Sequence, residues 1–177
     1  PLAAEVIAAG LGFSLTPSYH LLGGTTDNNF AIAGAKAIDE DGNEATPDIN
    51  LPTQVNAFLQ INSGVAPSDA LYIVLIGGND IRAAREIRAG DVFAADAAER
   101  QAIRQAANQS IENAVLSQIA QINKLIASGA SNILVVNAPD IGAIPETDLI
   151  SGALLANAQT KQQERKATRL PKVATKL

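Results

Sequence analysis

Residues 71–80 read Leu-Tyr-Ile-Val-Leu-Ile-Gly-Gly-Asn-Asp and contain the strongest signal for the fold. The run Leu71–Ile76 is continuously apolar and rich in β-branched residues, which is typical of a strand buried on both faces of a sheet. The glycines at 77 and 78 end that strand. A similar run, Ile-Leu-Val-Val within Asn132–Asn137, ends before Pro139 and predicts a second buried strand.

Helical patterns alternate with these two strands. Apolar residues recur at spacings of three and four, and the glycines at 10, 12 and 129 supply helix ends. The predicted helices are Leu2–Leu11, Leu51–Ile61, one from Asp96 with Glu99 as a capping box to Gly129, and one from Thr147 into the carboxyl-terminal tail. Strands that alternate with helices predict an α/β fold with a parallel sheet covered on both faces.

The composition excludes several kinds of protein. The 177 residues suffice for about one domain, and 47% hydrophobic against 18% charged residues favours a buried core. The absence of Cys excludes disulfide scaffolds and thiol nucleophiles, and the single histidine, His20, excludes metal sites with two imidazoles. No apolar run is long enough to span a bilayer. The sequence starts at Pro1 and lacks Met, so we expect an incomplete reading frame.

Charge is distributed unevenly along the chain. Residues 1–160 carry a net charge of −10, whereas residues 161–177 carry +5 within the overall −5. An acidic body repels phosphate backbones, so we predict no nucleic-acid partner. The basic segment is interpreted as a solvated helix face or a frayed end. We therefore divide the chain into a partial α/β domain, 1–160, and a basic tail or helix end, 161–177.

Three segments that follow predicted strands are the places to look for function, because ligands of α/β folds gather at the carboxyl ends of strands. They are the turn after Phe30–Ala33, the turn Gly77–Asp80 and the segment Pro139–Gly142. A nucleotide site is disfavoured, since the chain has neither G-x-G-x-x-G after a strand nor a P-loop. The amide of Asn79 can donate to an oxyanion formed during acyl transfer. The alternative is a turn with a helix N-cap and no ligand.

Two of these segments resemble conserved blocks of the SGNH, or GDSL, ester hydrolases. Asn29–Ala35 is similar to the pattern N-F-A-x-x-G-A, and Gly77–Asp80 is similar to G-x-N-D. Residues 128–135 and 139–145 resemble the next helix, strand and loop of the bacterial lipase/esterase branch, which is often exported or carried by autotransporters. The resemblance covers about residues 1–150. It implies a three-layer α/β/α fold around a mainly parallel, flavodoxin-like sheet.

The resemblance also implies a site and a reaction. The backbone N–H of Gly34 and the side-chain NH₂ of Asn79 would be two donors of an oxyanion hole in a Ser acyl-enzyme mechanism. The implied substrate is a small-molecule or lipid ester, and neither a metal nor an organic cofactor is required. The implied location is outside the cell or at the cell surface or outer membrane. Acyl-chain preference, lipase against esterase activity and oligomeric state stay open.

The chain departs from the family pattern at the nucleophile and the base. None of its nine Ser residues lies in a Gly-Asp-Ser context, and the acid of D-x-x-H is replaced by Pro17, three residues before His20. Ser18 and His20 lie in an irregular loop without an orienting acid, so we interpret His20 as a surface residue. We therefore expect an incomplete sheet and an inactive isolated segment. The alternative is a non-catalytic α/β ligand-binding module, or an inactive fragment, on the same scaffold.

Two charged segments have structural interpretations that we favour over binding sites. The acidic run Asp39–Glu44 lacks the glycine that an EF-hand requires after Asn43, so it is predicted to be a solvated loop rather than a calcium site. Arg82, Arg85 and Arg88 recur every three residues and predict a solvated helix face with local ion pairs rather than an anion site.

Overall fold

The computed structural model describes residues 2–24, 27–39 and 48–176. The chain divides into two compact units, one made of Pro1–Ile76 with Ser117–Asn137 and the other of Gly77–Leu116 with Ala138–Leu177. We call these unit 1 and unit 2. The regular elements are α1 (Ala3–Gly10), α2 (Leu51–Ile61), β1 (Leu71–Leu75), α3 (Gly78–Ala89), α4 (Ala97–Ala127), β2 (Asn132–Val136), α5 (Pro145–Ala156) and α6 (Lys161–Ala174).

Unit 1 contains a parallel sheet formed by β1 and β2. Leu71 lies opposite Asn132, and the register continues to Leu75 opposite Val136. The predicted α/β class with a parallel sheet is confirmed. A cluster of buried aliphatic residues packs with this sheet. They come from α2, the loop after it, the carboxyl-terminal part of α4 and the turn after α4: Leu51, Val55, Leu59, Ala66, Leu125 and Ala130. Phe58, Tyr72 and Ile133 pack against the cluster and join it to both strands.

The two strands are less buried than the sequence predicts. Leu75 is 57% exposed and Val135 47% exposed, although both were expected to lie inside a sheet covered on both faces. In the described part of the chain, the sheet has only these two strands, so each strand has a single hydrogen-bonded neighbour. The segment Phe30–Ala33 forms no strand, and the residue before it, Asn29, makes an isolated parallel bridge with Pro17.

Unit 2 is helical, and α6 is its central element. Helix α6 contacts α5 and α3, and its residues Ala167 and Leu170 are buried. The single helix predicted from Thr147 into the tail is wrong, because α5 ends at Ala156 and α6 begins at Lys161. The break is stabilised by a capping box: Thr160 Oγ1 accepts from the Gln163 backbone N–H at 3.2 Å, and Gln163 Oε1 accepts from the Thr160 N–H at 3.1 Å.

Candidate active site

Gly34 occupies a tight turn in unit 1. Its φ of +88° lies in the left-handed region, which glycine adopts without a steric penalty. The Ala35 N–H donates to Ile32 O at 3.3 Å across the turn. Two further bonds hold the residues after Gly34: Lys36 N donates to Asn50 Oδ1 at 2.8 Å, and Leu51 N donates to Lys36 O at 3.0 Å. The exposed turn is therefore tied to the first turn of α2.

The residues before this turn are held by the preceding loop of unit 1. Ser18 N donates to Asn29 O at 2.9 Å, and Asn29 N donates to Thr16 O at 3.0 Å. The next residue, Phe30, contacts two rings. Its centroid lies 5.5 Å from that of His20 and 5.6 Å from that of Phe58, the latter edge-to-face. These contacts fix where the Asn29–Ala35 segment leaves the loop.

Asn79 lies in unit 2, in the first turn of α3. Gly77 has a φ of +103° and α3 begins at the next residue, so the chain turns sharply from β1 into the helix. The cap residue of α3 is Gly77, which means that neither Asn79 nor Asp80 is the N-cap that the alternative interpretation requires. Asn79 is partly buried and Asp80 is 2% exposed. Arg82 Nη1 donates to Asn79 Oδ1 in a long contact of 3.5 Å.

Arg82 connects Asn79 to the start of α5. Its Nε lies 3.1 Å from Glu146 Oε2, and the same carboxylate oxygen accepts from Arg85 Nη1 at 3.0 Å. Arg85 Nη1 also donates to Thr147 Oγ1 at 2.9 Å, and that hydroxyl donates to Ile141 O at 2.5 Å. The third predicted segment, Pro139–Gly142, is thereby joined to α3.

The predicted solvated arginine face is wrong for Arg85, whose side chain is fully buried. Arg88 is also largely buried, with a side-chain exposure of 14%, and it forms a 3.5 Å ion pair with Asp91. Burial lowers the pKa of the Arg88 guanidinium, an effect that Asp91 opposes and Arg104 reinforces. Arg82 alone keeps a substantial exposed fraction, 45% of its side chain. Spacing along the helix did not reveal this burial, because the hydrogen-bond partners of Arg85, Glu146 and Thr147, lie in another helix, α5.

The two predicted oxyanion donors fall in different units, Gly34 in unit 1 and Asn79 in unit 2. Gly34 lies in a turn at a φ of +88°, and Asn79 lies in the first turn of the helix that follows β1. Their action as a pair stays a prediction.

The order of these segments agrees with a known family. The profile of the GDSL-like Lipase/Acylhydrolase family matches residues 1–177. The chain belongs to this family. It is also similar to a protein named Lipase 1 from Photorhabdus luminescens, with 30% identity over 142 residues, which is 80% of this chain and 18% of that protein. The chain thus spans less than a fifth of the length of this curated relative. No solved structure matches it.

In this GDSL-family chain the structure brings together Ser18 and His20, a pair that the sequence did not predict. Ser18 Oγ lies 2.8 Å from His20 Nδ1, and the left-handed Tyr19 between them, with a φ of +48°, turns the chain so that the side chains meet. His20 is half-buried, and burial lowers its pKa. Ser18 is only 1% exposed, so its hydroxyl is closed to an ester substrate.

The described residues offer neither a metal cluster nor a membrane-spanning helix. Residues 2–24, 27–39 and 48–176 contain no group of three or more His, Cys, Asp or Glu side chains able to hold a metal ion. Of the acidic run Asp39–Glu44, residues 40–44 lie outside the described residues. No helix in the part of the chain that the structure describes combines the length and apolar character needed to cross a membrane.

Proposed function

We propose that this chain is part of a carboxylic-ester hydrolase, a lipase or esterase that works through a Ser acyl-enzyme. In this proposal the Gly34 N–H and the Asn79 side-chain amide donate to the oxyanion. The observation that carries the proposal is the Gly77–Asp80 turn, where a glycine at φ +103° starts a helix directly after β1 and puts an amide in its first turn. The family membership and the similarity to a protein named as a lipase support it.

The local contacts of Asn79 suit an oxyanion donor. Because Arg82 Nη1 contacts Oδ1, the amide is oriented with its oxygen toward the guanidinium. The NH₂ group of Asn79 is the donor of this amide, and in the proposal it is the group that donates to the oxyanion. Arg82 is itself held by Glu146. Such preorganised donors stabilise charge that develops in the transition state and need no reorganisation at the moment of reaction.

The proposed reaction has two acyl-transfer steps. A Ser hydroxyl attacks the ester carbonyl carbon while a base takes its proton, and the carbonyl oxygen becomes the oxyanion that Gly34 and Asn79 stabilise. Collapse of this intermediate releases the alcohol, and water then hydrolyses the acyl-enzyme. We place the nucleophile and the base outside residues 1–177, because the chain has no Gly-Asp-Ser or Asp-x-x-His block and because Ser18 is buried.

The proposal extends to the substrate and the location of the protein. The substrate class is a small-molecule or lipid ester, and the chemistry of a Ser acyl-enzyme requires neither a metal nor an organic cofactor. We further propose that the protein acts outside the cell or at its surface.

The test is intact-mass spectrometry of the protein isolated from its natural source after treatment with a serine-reactive fluorophosphonate. We expect an adduct on a polypeptide heavier than 18.3 kDa, the mass of this chain. An adduct on an 18.3 kDa species would contradict the proposal that the nucleophile lies outside residues 1–177. An unmodified protein that contains these residues would favour the non-catalytic ligand-binding module.

The role of Asn79 is tested in the labelled polypeptide by the variant Asn79→Ala. Loss of one oxyanion donor should lower kcat by about 10²–10³-fold with little change in KM. The matched control is Asn157→Ala, which removes an exposed amide at the end of α5 and should leave kcat unchanged. Equal activity of Asn79→Ala and the control would exclude Asn79 from the oxyanion hole.

A further inference from the structure

Unit 2 contains a groove whose walls are almost entirely basic. The groove has a volume of about 510 Å³ and lies between α4 and α6. Its basic lining residues are Arg100 and Arg104 from α4, and Lys161, Arg165, Lys166 and Arg169 from α6. We call this the basic groove. Among the described residues no acidic side chain lines it, although the chain as a whole has a net charge of −5.

The spacing of the cations explains why they face one another. Arg100 and Arg104 lie one turn apart on α4. On α6, the cations Lys161, Arg165 and Arg169 recur at every fourth residue, so they share one face of that helix. The opposite side of α6 is buried, with Ala167 and Leu170 in the core of unit 2. The fold of unit 2 therefore fixes the basic stripe of α6 toward the groove.

One carboxylate, Asp91, forms ion pairs with two of the cations that line the groove. Asp91, whose side chain is 10% exposed, lies 3.2 Å from Arg104 Nη2 and 3.4 Å from Lys166 Nζ. Lys166 Nζ also donates to Asp91 O at 2.6 Å. Asp91 thus pairs with one cation from each helix, Arg104 and Lys166. The other four cations of the groove are not paired with it.

Four of the six cations have no ion-pair partner within the described residues: Arg100, Lys161, Arg165 and Arg169. Like charges on facing helices repel one another, and an anion bound between the helices would attract the cations on both. Guanidinium groups match phosphate oxygens with two parallel N–H donors, whereas lysine supplies a compact point charge. The groove is also within the size range of small-ligand sites.

We propose that the basic groove binds a phosphate-bearing anion with two or more negative charges, held directly by Arg100, Lys161, Arg165 and Arg169. The site is independent of Gly34 and Asn79, so it stands whether or not the chain takes part in ester hydrolysis. The same chemistry has two sources, a soluble polyphosphate or the headgroups of an anionic phospholipid. The experiment separates them.

The first measurement is isothermal titration of the 177-residue chain with sodium tripolyphosphate at low ionic strength. We expect saturable binding with one site per chain, weakened as salt is added because the contacts are ionic. The double variant R165Q/R169Q should bind at least about tenfold more weakly, which corresponds to about 1.4 kcal/mol. Both positions are exposed and glutamine is a good helix former, so α6 should persist.

The matched control is K172Q/K176Q, which removes the same charge from the same end of the chain at exposed lysines outside the groove. It should bind tripolyphosphate as the parent chain does. R100Q is a second test, because it removes a groove cation from α4 and leaves the sequence of α6 unchanged. It should also weaken the binding of tripolyphosphate. Absence of saturable binding, or equal losses in R165Q/R169Q and K172Q/K176Q, would overturn the proposal.

Vesicle flotation then identifies the source. Binding to vesicles that contain phosphatidylglycerol, but not to pure phosphatidylcholine vesicles, with loss in R165Q/R169Q, would assign the groove to lipid headgroups. Binding of tripolyphosphate without binding to either vesicle would assign it to a soluble phosphate compound. Vesicle binding that K172Q/K176Q weakens as much as R165Q/R169Q would show a diffuse charge effect and overturn the site.

Discussion

Arg85 Nη1 lies 3.0 Å from Glu146 Oε2, and the Arg85 side chain is fully buried while the carboxylate is 46% exposed. The pair joins α3 to the first turn of α5 across 61 residues of sequence. A buried guanidinium requires partners, because leaving a charge without them in the interior carries a large desolvation penalty. Glu146 also contacts Arg82, the residue that touches Asn79, so one carboxylate supports both the core of unit 2 and the candidate donor.

We predict that Glu146→Gln lowers the free energy of unfolding by about 1–3 kcal/mol, because Arg85 would lose its close ionic partner. The contact of Arg85 with Glu86 is longer, 3.8 Å, and cannot replace it. Urea unfolding at neutral pH measures the change. Glu86→Gln is the control, since that side chain is 69% exposed, and it should change stability by no more than about 0.5 kcal/mol. Equal effects of the two variants would contradict the assigned role of Glu146.

A second prediction concerns Gly142, which lies against the end of α6. A Cβ added there would overlap Pro171 O and Thr175 Oγ1, and it would come within 2.6 Å of the Thr175 backbone N. Gly142→Ala should therefore push α6 away and destabilise the protein by about 1–3 kcal/mol.

The control for this prediction is Gly152→Ala in α5, where an added Cβ meets nothing within 4 Å. Replacing a helical glycine in open space should stabilise the protein by about 0.5–1 kcal/mol. Thermal unfolding of the two variants should thus move Tm in opposite directions. A Tm for Gly142→Ala equal to that of the parent would show that α6 does not pack on this glycine.

Local sequence patterns predicted most of the regular elements. The runs at 71–76 and 132–137 became β1 and β2, and the helix predicted over Leu51–Ile61 has those bounds in the structure. Asp96 and Glu99 act as expected at the start of α4, where Asp96 Oδ1 accepts from the Glu99 N–H at 2.8 Å. These signals depend on near neighbours in sequence, and hydrophobic spacing and caps report such neighbours well.

The wrong predictions concern burial and hydrogen bonds that depend on contacts which spacing along one element does not encode. The burial of Arg85 depends on Glu146 and Thr147 in another helix, and the spacing of arginines along α3 carries no information about them. The Ser18–His20 hydrogen bond depends on the left-handed turn at Tyr19, which is unusual for a bulky residue. The break between α5 and α6 is different, because Thr160 with Gln163 is a capping-box pattern that was readable in the sequence.

The candidate site was predictable only in part. The motifs predict Gly34 and Asn79 as oxyanion donors, and this assignment stays a prediction. The contact of Asn79 with Arg82 was not predicted, although the two residues lie three apart on a helix and such pairs face each other. The basic groove was not predicted, because its cations lie on two helices, α4 and α6, that are far apart in the sequence.

A third prediction tests the turn that positions Asn79. Gly77 has a φ of +103°, a conformation that a residue with a Cβ adopts with strain, so Gly77→Ala should destabilise the protein by about 1–2 kcal/mol. The adjacent Gly78→Ala is the matched control. An added Cβ there would lie 3.9 Å from Pro139 Cδ, an ordinary contact, and stability should change by about 0.5 kcal/mol or less. Chemical denaturation of both variants gives the comparison, and a reversed order would refute the assigned turn.

The last prediction concerns His20, whose pKa is lowered from 6.5 by burial. Because it is the chain's single histidine, one imidazole resonance in a proton NMR titration reports it without assignment, and we expect a midpoint below 6.5. In the unfolded chain the ring takes up its proton at higher pH than in the folded protein. The contribution of His20 to the free energy of unfolding is therefore complete above pH 6.5, and it is lost as the pH falls through the pKa of the folded state. His20→Gln should remove that part of the pH dependence. A midpoint at or above 6.5 would mean that the ring is solvated and that its bond to Ser18 does not persist in solution.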